Sequence, residues 1–62
     1  MTQDEKAYIG RTVKRVMDKY QAGQLHLTQA SLAIADYWLQ GVLTIEQTDY
    51  ALRILAKTKV EG

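Results

Sequence analysis

The chain predicts an all-α fold: three short helices joined by tight glycine-containing loops, in one domain spanning residues 1–62. Three observations carry this. A stop-and-restart signal occurs twice, as Gly23-Gln24-Leu25-His26-Leu27-Thr28-Gln29 and as Gly41-Val42-Leu43-Thr44-Ile45-Glu46-Gln47. In each, a glycine is free to leave the preceding helix in the left-handed conformation, a leucine packs back, and a threonine caps the next helix. Between the signals, apolar residues recur at three- and four-residue spacing. Proline is absent, so only glycine interrupts the helical segments.

The first helix is expected over about residues 3–22. Ile9, Val13, Val16, Met17 and Tyr20 line one side, an amphipathic stripe that seeks a core. Thr2 or Asp4 is placed to cap its start, and Asp4 and Glu5 suit the positive end of the helix dipole. Gly10 lies inside this helix, at a cost of roughly 1 kcal/mol relative to alanine. Either it is a tolerated weak spot or it marks a close crossing where only hydrogen fits.

The second helix is expected over residues 28–40, capped by Thr28. Asp36 is its only charge. Leu32, Ala35 and Leu39 form one apolar strip. Ala30, Ala33, Ile34, Tyr37 and Trp38 form another, turned by well over a right angle. A helix apolar nearly all round should be buried nearly all round. Asp36 reads as a solvated position at the rim, with pairing across an interface as the alternative.

The third helix is expected over residues 45–57. Thr44 and Gln47 have the spacing of a capping box. Ile45, Thr48, Leu52 and Leu55, helped by Ala51, make its core stripe. Tyr50 and Ile54 lie one turn apart on another face. Arg53, Lys57 and Lys59 suit the C-terminal end of the dipole, and Lys59 to Gly62 are expected to fray.

Sixty-two residues form one domain at most, and so small a domain buries only about 60% of its unfolded surface. The sequence has no cysteine and one histidine. Disulfides and thiolate metal sites are therefore excluded, and no metal or cofactor is expected. Helix packing or a second subunit must supply the stability. The formal net charge is +1, which does not by itself favour nucleic acid or acidic membranes. The polar, acidic start does not read as a signal peptide, and no apolar run approaches a membrane span. A cytoplasmic location is expected. The two breaks also share an internal pattern of glycine, leucine, cap, glutamine and leucine, of the kind on which short helix connections converge.

No catalytic set stands out. Nucleophilic catalysis needs a base in reach of the nucleophile and a group that orients it. His26 and Ser31 are the only histidine and serine, and no acid is obviously placed to orient them. Asp36, Glu46 and Asp49 are better explained as helix decoration than as acid–base partners, and no phosphate loop or metal-ligand spacing occurs. The chain reads as a non-enzyme. Arg11, Lys14, Arg15 and Lys19 form a basic row on the first helix that suits phosphates or an acidic partner, although Asp18 shares the face. A helix-turn-helix reading of the second and third helices puts Glu46 and Asp49 where phosphates would lie, and fails on charge.

What is left is surplus apolar surface. Ile34, Tyr37 and Trp38 on the second helix, with Tyr50 and Ile54 on the third, exceed what one small core hides. Tyr8 and Ile9 fall where a long first helix would overhang a shorter partner. Tyrosine and tryptophan are frequent interface anchors. These residues predict a protein–protein interface and a helical homodimer using the second helix and the overhang. The expected function is a small interaction module: a regulator, inhibitor or adaptor of a larger bacterial or phage protein. The alternatives are a small DNA-binding accessory regulator using the basic row, and a structural subunit of a larger assembly.

Overall fold

The computed structural model describes residues 1–60. Among them lie three α-helices and no strand: α1 (Gln3–Gln21), α2 (Leu27–Leu39) and α3 (Ile45–Lys57). The expected fraying falls partly on residues 61 and 62, which lie outside the described residues.

Helix α1 starts at Thr2, whose hydroxyl accepts from the Glu5 N–H at 3.1 Å. Asp4 and Glu5 stand in its first turn and Lys19 in its last, each favourable to the dipole. It stops one residue before the expected Ala22, which serves as C-cap. Gly23 follows with φ 77°. The Gly23 N–H donates to Tyr20 O at 3.1 Å and the Gln24 N–H to Lys19 O at 2.9 Å, the paired bonds of a Schellman motif. Gly10 faces open space, since a Cβ built on it meets nothing within 4 Å. The close-crossing reading is thereby removed, and Gly10 is a weak point in an exposed helix interior.

Helix α2 begins one residue earlier than expected, and its cap is His26, not Thr28. His26 makes no side-chain cap hydrogen bond. Gln29 instead reaches back to accept the His26 N–H at 2.9 Å. The helix ends at Leu39, one residue short of the expected Gln40, and Gly41 has φ 78°. The Gly41 and Val42 N–H groups donate to Trp38 O and Tyr37 O at 3.0 and 2.9 Å. Helix α3 occupies the expected span. Thr44 accepts the Gln47 N–H at 3.1 Å while Gln47 accepts the Thr44 N–H at 2.9 Å, a complete capping box.

The two units following the glycines therefore superpose in their grammar at an offset of 18 residues. Gly23 matches Gly41, Leu25 matches Leu43, His26 matches Thr44 and Gln29 matches Gln47. Each unit carries a helix of 13 residues. Ala30 and Thr48, equivalent in this register, are both buried.

The core gathers Ile9, Val13 and Val16 from α1, Ala30 and Ile34 from α2, Leu43 from the second loop, and Ala51 and Leu55 from α3. Met17, Tyr20, Leu25, Ala33, Tyr37, Tyr50 and Leu52 pack against it. Thr48 is the one buried polar residue among them, and its hydroxyl donates to Thr44 O at 2.8 Å. No described side chain buries an unpartnered polar atom, so the interior carries no desolvation penalty of that kind.

Four expectations about facing are overturned. Ile9 is fully buried, because α2 runs back along α1 and its exit loop covers the N-terminal third of α1. Tyr8 Oη donates to Val42 O at 2.7 Å, and Gln47 Nε2 donates to Glu5 Oε2 at 3.2 Å. These contacts tie the supposed overhang to the second loop and to the start of α3. Ile34 is also fully buried, so neither it nor Ile9 has surface to offer a partner. The third reversal is in α2 itself. Leu32 and Leu39 are 66% and 72% exposed, and the core strip is Ala30, Ile34 and their neighbours. In α3, Ile45 is likewise outside, 68% exposed. The rest of the stripe is as expected, with Thr48, Ala51 and Leu55 buried.

The Cα radius of gyration is 10.9 Å, close to the roughly 10.6 Å expected of a folded chain this long. The accessible surface is 4467 Å², somewhat above the roughly 4,000 Å² typical of a monomer of this mass. Chain dimensions are thus those of a folded domain, with surface to spare.

Candidate interaction surface

The surplus surface is concentrated on α2. At about 100° per residue, Ala30, Ala33, Ile34 and Tyr37 share the inward side. Thr28, Leu32, Ala35 and Leu39 follow one another at spacings of four, three and four residues on another side. That spacing makes a straight strip along a helix, alternating in the manner of heptad positions d and a. Trp38 and Ser31 flank the strip on one edge; Gln29 and Asp36 flank it on the other. Leu32, Leu39 and Trp38 are exposed, with Trp38 at 46%, while Ala35 and Ser31 are half-buried.

Local chemistry keeps the strip uninterrupted. The Ser31 hydroxyl donates back to Leu27 O at 2.8 Å, so it offers little polarity outward. Asp36 is the only charge on the helix, and its carboxylate accepts from Gln40 Nε2 within the same face. Helix α2 has no acid in its first turn and no base in its last, so its dipole is uncompensated by its own side chains. Exposed leucines and a tryptophan with one charge beside them form an apolar patch, the kind of surface that often marks an interaction site.

The residues singled out in the sequence divide three ways. Trp38, Ile54 and Tyr8 are exposed, although Tyr8 spends its hydroxyl on the second loop. Tyr37 and Tyr50 are half-buried and pack against the core. Ile9 and Ile34 are inside. The structure therefore assembles no single patch from all seven. Leu32 and Leu39 were missed because the apolar pattern of α2 does not decide which of its two strips faces the core. A usable signal existed: a leucine before the N-cap packs toward the fourth helical residue. From Leu25 and a cap at His26, that residue is Ala30, which turns Leu32 outward. From a cap at Thr28 it is Leu32 itself, which turns the helix the wrong way.

The basic row on α1 is exposed along its length at Arg11, Lys14, Arg15 and Lys19. Lys14 is engaged by Asp18 at 2.8 Å, which reduces the cationic character of the row. On α3, Arg53 pairs with Asp49 at 3.0 Å. Both pairs are solvent-exposed and of small energetic weight. Among the described residues, no group of three histidine, aspartate or glutamate side chains is placed to hold a metal ion. Among the same residues, no helix is long and apolar enough to cross a membrane.

Comparison with protein-family models, with curated proteins and with solved structures finds no match to this chain.

Proposed function

We propose that this chain is a small non-enzymatic protein–protein interaction module, acting as a regulator, inhibitor or adaptor of a larger protein. One observation supports the reading: α2 leaves Leu32 and Leu39 in water along a strip that holds no charge, with Trp38 exposed at its edge. Burying one such side chain is worth roughly 1.5–3 kcal/mol. In a chain with so small a core, leaving several of them outside wastes a large share of the available stabilisation. A docking role accounts for that arrangement. The basic row of α1 then steers or contacts an acidic partner, at a rim where charge sets association rate more than affinity.

The test is affinity capture from lysate with the wild-type chain and with the double variant Leu32→Glu/Leu39→Glu, each with and without nuclease. Proteins retained by the wild type and lost by the variant support the module. Identical protein sets would refute it. Retention that disappears with nuclease, or that falls steeply with salt and with Arg11→Glu/Arg15→Glu, would move the function to the DNA-binding alternative.

A further inference from the structure

We infer that the outward strip of α2 is built to receive a second copy of itself, in antiparallel orientation. The inference rests on the interaction-module reading and names the occupant of that surface. Its ground is the order of side-chain sizes along the strip. In an antiparallel helix pair, position a of one helix faces position d of the other. Here that register sets residues opposite one another whose numbers sum to 67. Leu32 faces the small Ala35, and Leu39 faces the small Thr28, twice each by symmetry. Every layer then pairs one large side chain with one small one, so volume is even along the seam. A parallel pair would stack Leu32 on Leu32 and Ala35 on Ala35, alternately crowding and hollowing the seam.

The flanks follow the same logic. On one edge Trp38 lies nearest the half-buried Ser31 of the facing helix, two residues from level, again large beside small. On the other, Asp36 lies nearest Gln29, two residues from level, at the end of the facing helix's first turn. That turn has no acid of its own, and an acid is favourable there. The partner's carboxylate thus supplies what α2 lacks, whereas in the parallel arrangement each Asp36 would lie along the Ser31–Trp38 edge of the facing helix, away from Gln29. Leu32, Trp38 and Leu39 leave on the order of 400 Å² exposed per copy, within the range of a monomer's largest patch. Two such faces bury about 800 Å² together, below the roughly 1,000 Å² of a stable specific interface. The pairing is therefore a reversible one. It leaves the cationic row of α1 unused and open to a further partner.

Sedimentation equilibrium on the wild-type chain over a concentration series is expected to show mass rising from 7.0 kDa toward twice that value. Leu39→Glu is expected to weaken the dimer by about tenfold or more, in line with the burial of one leucine, with helical circular dichroism unchanged. Arg15→Glu is expected to leave it intact. The chain has no native cysteine, so Thr28→Cys and Leu39→Cys report orientation. In the antiparallel register the mixture of the two variants cross-links on oxidation. Either alone does not, because its thiols lie about 16 Å apart along the axis. Cross-linking of each variant alone, or loss of the dimer on Arg15→Glu, overturns the arrangement. A wild type that stays monomeric at millimolar concentration overturns the second copy as occupant. Should that monomer still lose its captured proteins on Leu32→Glu/Leu39→Glu, the interaction module stands without self-pairing. A dimer whose captured proteins ignore that variant keeps the pairing and removes the module from this face.

Discussion

Two glycines show how opposite a substitution at one residue type can be. Gly10 sits in the interior of α1 with open space where a side chain would go. Gly10→Ala removes unfolded-state freedom and adds no clash, so it should stabilise the chain by about 0.5–1 kcal/mol. Gly41 also has space, but its φ is 78°. An alanine there is held in a left-handed conformation that costs roughly 1–2 kcal/mol. Urea denaturation of the two variants should give midpoints on opposite sides of the wild type. A Gly10→Ala midpoint below the wild type would mean that the backbone at that position departs from regular helix.

At the scale of the element, the two glycine-led units differ chiefly in their caps. Thr44 donates a full box to α3, whereas His26 leaves α2 with only the half that Gln29 supplies. Thr44→Ala should therefore destabilise by about 1 kcal/mol, while His26→Ala should change little. His26→Thr should gain, by completing the box. Thermal melts would read this as a shift of about 4–8 °C per kcal/mol for a domain of this size. An equal loss at Thr44 and His26 would contradict the geometry of the first cap. The same comparison explains what was readable in advance. Helix number, both glycine stops, the span of α3 and its Thr44–Gln47 box follow from local chemistry that needs no tertiary contact. The facing of α2 does not. Both of its strips are apolar, so periodicity alone is degenerate, and only the cap at His26, one residue after Leu25, tells which strip faces in. Ile45 failed for a related reason. It is the first helical residue, where the chain is still entering the bundle, and the equivalent Leu27 is exposed too.

For the whole molecule, that facing separates the residues that hold the fold from those proposed to associate. Ile34 lies at the centre of the core and Leu39 outside it. Ile34→Ala should cost about 2–5 kcal/mol, a large part of what so small a domain has, and should lower the melting temperature sharply or abolish folding. Leu32→Glu and Leu39→Glu should leave the far-ultraviolet circular dichroism unchanged and the melt of the dilute monomer near that of the wild type. If the leucine variants unfold the dilute chain as Ile34→Ala does, the strip belongs to the interior. The candidate surface was thus legible as an excess of apolar residues, which composition and helix count reveal. Its address was not legible, because which members of the excess are spared from the core depends on how three helices meet.

The clasp between Tyr8 and the Val42 carbonyl, with Glu5 held by Gln47 nearby, has a dynamic corollary. Helix α1 is anchored by Val13 and Val16 below Gly10, and by Ile9 and these two polar tethers above it. The glycine divides a well-packed segment from one secured by few contacts. Residues 3–8 should detach as a unit, like a strap lifting from its buckle, while the remainder holds. Amide hydrogen–deuterium exchange should find the amides of residues 6–9 less protected than those of residues 13–20. Tyr8→Phe should widen the gap without touching the slower group. Uniform protection along α1 would show that the helix opens only when the entire chain does.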